Sequence, residues 1–247
     1  MIELIDIAAP ALLVGLLIAI VHVPFGVEVI KRGIIFIDLA IAQIAALGFL
    51  SAEIILEDAH PFIHGLSAFV AAVLGGIVFK FIEKHQPNLQ EAWIGVFFVA
   101  SASLSVLILS DQPHGAEELN HLLSGQVLFT TYQDFLLYLP VYLILFVIAT
   151  QINRAMQGLS FYVLFALTIT LSVQIVGVYV VFASLIIPAL IFTQVTNNKF
   201  PYVFTIISIV VGITGSTLLD VPAGPSLVLT YFALALISTA AIRRGSR

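Results

Sequence analysis

The chain has no cysteine, and Lys, Arg, Asp and Glu together make up only 9% of its 247 residues. The first absence excludes disulfides, thiolate metal sites and a cysteine nucleophile in one step, so any metal held here uses oxygen or imidazole ligands. The second excludes an ordinary soluble domain, which carries about 25% charged residues. No basic stripe is present to neutralise phosphates, so nucleic acid is not a partner. Enzyme signatures are missing as well: there is no GxxxxGK(S/T) phosphate loop, no HExxH and no GxSxG. Gly75 and Gly76 lead toward Lys80, but neither the spacing nor the apolar setting suits a nucleotide. If transport here consumes ATP, another subunit must hydrolyse it.

What is present is apolar. Hydrophobic residues make up 61% of the chain and the mean hydropathy is +1.15, so lipid is the solvent and partner of most of the surface. A membrane span needs about 20 mostly apolar residues. That template predicts an all-α, polytopic transmembrane helix bundle with spans near 7–25, 34–56, 62–83, 92–110, 133–150, 159–176, 178–196, 202–219 and 225–242. Only Gly177 punctuates the run 159–196, so the count is eight or nine. No polar insert or low-complexity tract interrupts the pattern, and residues 1–247 read as a single transmembrane domain. The start, with Glu3 and Asp6, lacks the positive charge of a signal peptide, so the first apolar run is read as a retained span.

Lys and Arg choose the side of each connection. Lys31 and Arg32, Lys80 and Lys84, Arg154, Lys199, and Arg243, Arg244 and Arg247 fall in alternate connections of the nine-span reading, which places them in the cytoplasm. The remaining connections, including the long 111–132 loop with Asp111, Glu117 and Glu118, are acidic or neutral and face outward.

Ionisable groups inside a span are costly, and their default reading is functional. Asp38 follows Arg32 closely; on a continuous helix it would lie roughly 10 Å inward of Lys31 and Arg32. It either faces a pathway through the bundle or is a structural partner of Arg32 or of a neighbouring backbone. Gln43 is about 140° from Asp38 around an ideal helix, so the two cannot hold one ion without distortion. Glu53, near the outer interface, is either functional or snorkels to water. His22, beside Pro24, reads as a satisfied interfacial histidine. In the outer loop His114, Glu118 and His121 would share one face of a short helix and could collect a divalent cation, or they belong to a solvated acidic loop. Gly75, Gly76, Gly177, Pro188, Gly212 and Gly215 sit inside apolar runs, where they mark either close helix packing or a broken helix lining a cavity.

Five segments in order resemble one family. They are 31–38 (KRGIIFID) with 42–48 (AQIAALG), 91–98 (EAWIGVFF), 122–128 (LLSGQVL), 176–189 (VGVYVVFASLIIPA) and 220–229 (DVPAGPSLVL). Together they are similar to the membrane permeases of zinc, manganese and iron ABC importers, the ABC-3 group. The resemblance implies a non-enzymatic transport subunit of the bacterial inner membrane that forms a homodimer around a central metal pathway. It further implies cargo delivered by an extracytoplasmic metal-binding protein and docking to a cytoplasmic ABC ATPase. The divalent metal ion would be substrate, with no covalently bound cofactor. An ion-coupled secondary transporter and a non-transporting scaffold subunit are the competing classes.

The chain departs from the family at one place. Many members carry Asp four residues before His on one face of the second span. Aligned on Gly48, the histidine position holds Gln43, the aspartate position holds Leu39, and Asp38 stands one residue earlier. The pathway candidates are therefore Asp38, Gln43 and Glu53. The inner segment 151–158, with Arg154, Met156 and Gly158, is short, helix-compatible and closed by glycine, as an ATPase-coupling element would be; the alternative is an ordinary inner loop.

Overall fold

A computed structural model describes residues 2–56, 60–110, 112, 115–152, 154–192 and 199–245. Among these the chain is a polytopic helical bundle without strands. The helices are α1 (Ile2–Arg32), α2 (Ile37–Ile55), α3 (Pro61–His85), α4 (Gln90–Leu109), α5 (Gly115–Ser124), α6 (Tyr132–Gln151), α7 (Gly158–Phe192), α8 (Phe200–Leu219) and α9 (Ala223–Gly245). Eight of them are long and apolar enough to cross a membrane, and α5 is a short helix in the outer loop. Helix ends follow local chemistry. His60 accepts from the Phe62 N–H ahead of Pro61 at the start of α3. Thr131 and Asp134 form a capping box on α6. Asp220 adopts the left-handed conformation that ends α8.

Two boundaries differ from the sequence reading. Helix α1 runs to Arg32 rather than ending near residue 25, and about 46 Å of helix results. A turn with Gly33 at φ +67° then breaks the chain, so α2 starts at Ile37 rather than 34. Asp38 is therefore the second residue of a new helix at the bundle's inner end, and not 10 Å along a continuous one.

Helix α7 contains both spans expected on either side of Gly177. That residue has φ +78° and ψ 163°, outside helical geometry. The His22 imidazole touches Ser172 Oγ at 2.9 Å and Ser184 Oγ at 2.7 Å, one on each side of the break. The two hydroxyls thus lie within about 8 Å, where a straight helix would hold them about 18 Å apart. The chain reverses at Gly177, and the arms 158–176 and 178–192 run antiparallel.

Contacts between loops sort the helix ends into two faces. Arg32 reaches the Met156 carbonyl and Glu83, joining the ends of α1 and α3 to the connection before α7. Tyr202 of α8 lines a cavity with Lys31 and Met156 on that same face. At the opposite face the Gln126 N–H donates to Ile175 O at 3.0 Å, and Gly224 abuts the Ser124 carbonyl. The grouping of Lys31, Arg32, Lys80, Arg154 and Lys199 against the outer loop matches the alternation of charge along the chain.

The glycines divide. Gly75 packs on Ile44, Gly76 on Tyr162 and Gly212 on Leu227, the close approach that small residues permit in lipid. Gly177 is the broken helix, and a Cβ there would strike the backbone of Ser124 and Gly125.

Candidate functional site

The α2 helix places its polar residues on two different faces. Leu39 and Gln43, four residues apart, lie on one side and line a cavity of about 800 Å3. Phe98 and Ala102 of α4, Val178, Tyr179 and Phe182 of α7, and Val228, Leu229 and Phe232 of α9 complete its wall. Gln43 and Tyr179 supply its polar side chains. The wall opens outward: Tyr179 is 49%, Phe232 55% and Leu229 66% exposed.

Asp38 points elsewhere. It is 1% exposed, and neither carboxylate oxygen has a hydrogen-bond partner. The N–H groups of Asp38 and Leu39 lie near the carboxylate without closing a hydrogen bond. Arg32 does not pair with it. The Arg32 guanidinium is held by Glu28 at 2.9 Å, Glu83 at 3.6 Å and the Met156 carbonyl at 2.8 Å, and it stacks over Phe161 at 4.1 Å. The Arg32 partnership considered for Asp38 is absent, and the nearest polar groups are the backbone N–H groups of its own helix start.

Sequence reasoning passed over Glu91 as a site residue, although it opens the segment EAWIGVFF. Glu91 Oε1 accepts from the Phe36 N–H at 3.2 Å, immediately before α2. Its Oε2 is buried without a partner, and its charge acts on Asp38. A carboxylate at the first turn of a helix is the signal that marked it, but its neighbour 53 residues earlier was not legible.

The other candidates lie apart. Glu53 is exposed in the last turn of α2, about 22 Å from Asp38 along the helix. His121 is exposed; its Nδ1 meets Gln126 Nε2 at 2.6 Å and its Nε2 faces Glu117 at 3.7 Å. His114 and the side chain of Glu118 lie outside the described residues. No group of three or more metal-ligating side chains forms among the described residues. Arg154 is exposed, whereas Met156 is buried and Gly158 takes φ +55°. Residues 154–156 form a turn rather than a helix.

A second buried polar group is complete. The His22 ring bridges Ser172 and Ser184, and Tyr142 Oη meets Ser172 Oγ at 2.8 Å. Ser172 has Thr168 O as a backbone acceptor for its own proton. Ser184 has Val181 O as a backbone acceptor in the same way, so of the two serines one accepts the ring's single N–H and the other gives its hydroxyl proton to the unprotonated ring nitrogen. His22 is not interfacial, as its place beside Pro24 suggested, but sits at 0% exposure between α1 and both arms of α7.

An apolar bundle with eight helices long enough to cross a membrane, one of them reversed at its middle, defines a polytopic membrane protein. The pattern of the ABC 3 transport family matches residues 4–161 and 149–242. This chain belongs to that family and is a multi-pass protein of the bacterial inner membrane. It is 26% identical to the manganese transport system membrane protein MntC of Halalkalibacterium halodurans, covering 91% of this chain and 85% of that protein. It is 24% identical to the high-affinity zinc uptake system membrane protein ZnuB of Haemophilus influenzae, covering 94% and 97%. Its fold matches PsaBC from Streptococcus pneumoniae in complex with Fab with a TM-score of 0.69, at 23% identity over 96% of this chain and 95% of that one.

Proposed function

We propose that this chain is the membrane-spanning permease subunit of an ATP-driven importer for divalent transition-metal ions: manganese, zinc or iron. The observation that carries the reading is its near full-length likeness to relatives whose names state manganese transport and zinc uptake. The whole chain acts as one permease domain. The metal is cargo and no cofactor is bound covalently. ATP is hydrolysed on separate cytoplasmic subunits, and an extracytoplasmic binding protein delivers the ion.

Two copies pair through the open apolar wall around Tyr179, Leu229 and Phe232, whose exposure supports a partner of the same apolar character. Along α2 the ion passes Glu53 near the outer end, then Gln43, then Asp38 at the inner end. His114, Glu118 and His121 are a weaker collecting point in the outer loop. An amide at position 43, where many relatives carry imidazole, favours a harder ion such as manganese over zinc. The segment 151–158 docks the ATPase through exposed Arg154, while buried Met156 and Gly158 shape the turn.

The test is reconstitution of the permease with its candidate ATPase and binding protein in proteoliposomes, following uptake of radioactive manganese and zinc. Uptake that requires ATP hydrolysis supports the reading. Uptake driven by a proton or sodium gradient without ATP overturns it in favour of a secondary transporter.

A further inference from the structure

We propose that Asp38 and Glu91 together form an oxygen-only dwell site for the transported divalent cation at the inner end of α2, an inference that rests on the function proposed above. Asp38 is 1% exposed and leaves both carboxylate oxygens without a partner. Glu91 uses one oxygen to hold the Phe36 N–H and leaves the other buried and open. The Phe36 N–H that Glu91 holds lies two residues before Asp38, so both carboxylates sit at the packed starts of α2 and α4.

A buried carboxylate without a counter-charge is costly. The basic residues at this end offer none: Arg32 is committed to Glu28, Glu83 and the Met156 carbonyl, and Lys31 is exposed. The convergent helix N-termini offset only part of the charge. Nor is Asp38 a cap, because its oxygens accept nothing from the backbone. A proton on a carboxyl or a cation shared between the two supplies the missing charge. Three open oxygens on two carboxylates, with neither thiolate nor imidazole, suit a hard divalent ion. The face carrying Leu39 and Gln43 lies about 100° away around α2, so this site is separate from the apolar cavity. Gln43 guides the ion past a weak ligand, and the carboxylate pair holds it before release.

The experiment uses the full-length permease in lipid nanodiscs and Mn2+ as the probe, with bound and free ion distinguished by electron paramagnetic resonance. Wild type should bind one Mn2+ per chain at this site. Asp38→Asn and Glu91→Gln each keep side-chain shape, and Glu91→Gln keeps the acceptor for Phe36. Each should weaken binding by about tenfold or more, since cation affinity follows the count of charged ligands, and the double variant should abolish it with the melting temperature unchanged. Mn2+ binding by the double variant equal to wild type overturns the dwell site, as does a wild type that binds none. If Asp38→Asn does not fold, Glu91→Gln alone decides between these outcomes. ATP-dependent metal uptake is measured in parallel. Uptake intact in wild type with binding indifferent to both substitutions sinks only the dwell site, whereas binding that depends on both carboxylates without any ATP-driven uptake sinks only the transport reading.

Discussion

Two buried polar centres in this protein were built by opposite rules. Around His22 every donor has an acceptor: the imidazole joins Ser172 to Ser184, Tyr142 completes Ser172, and Ser172 closes on the Thr168 carbonyl. Around Asp38 three carboxylate oxygens, two of its own and one of Glu91, have no partner. Both His22 and Asp38 are buried, where an unsatisfied polar group costs free energy that a satisfied one does not. The complete network is a lock that holds α1 and α6 against both arms of the reversed α7. The incomplete one is relieved by a proton on a carboxyl or by a bound cation.

That contrast breaks most easily at the turn that makes the lock possible. Gly177→Ala puts a Cβ into the Ser124 and Gly125 backbone at a φ that L side chains rarely adopt, and should cost more than about 3 kcal/mol. The check is yield of monodisperse permease after extraction, expected to collapse. Next is His22→Ala, which empties a fully buried site and removes the bridge between Ser172 and Ser184. It should destabilise by about 2–3 kcal/mol, read as a lowered melting temperature in nanodiscs with Mn2+ affinity of the surviving folded fraction unchanged. A changed affinity would mean that the lock and the dwell site are one.

Smaller still is Tyr142→Phe, which deletes one hydroxyl and leaves Ser172 with two of its three partners. A loss of about 0.5–1.5 kcal/mol is expected, measured by the same melt, and transport should continue. The smallest effect on stability falls on Asp38→Asn, within about 1 kcal/mol of wild type and of either sign, because no hydrogen bond is lost. Its effect on transport should be the largest of the four, with ATP-driven metal uptake cut severely while basal ATP hydrolysis remains. A drop in melting temperature with normal uptake would return Asp38 to a structural role.

Much of this architecture was legible in the residues. Long apolar runs announced the helices, since lipid admits only segments that satisfy their own backbone. The alternation of Lys and Arg announced the two faces. Three of the segments that carried the family resemblance, around Gly125, Gly177 and Gly224, meet at a single backbone junction on the outer face, where side chains would not fit. Their glycines were visible one by one; that they needed each other was not. The same holds for Glu91, whose acidity was plain but whose approach to Phe36 and Asp38 was hidden. Depth was misread for Asp38 and His22, because position along an apolar run measures distance to a span's end only if the helix continues, and Gly33 and Arg32 decided otherwise.

By itself, then, the order of residues determined the solvent, the helices and their alternating ends. Each of these follows from local composition and from hydropathy over about 20 residues, information that neighbouring residues carry without reference to the rest of the chain. Only the tertiary structure decided that α7 turns back at Gly177, that Arg32 is taken by Glu28, Glu83 and Met156, and that Glu91 reaches Phe36 beside buried Asp38 while Gln43 faces the cavity. These are contacts between segments tens to more than a hundred residues apart. Local pattern is silent on them, because in lipid apolar side chains packing against one another gain little over packing against acyl chains, and close fit with hydrogen bonding chooses the partners.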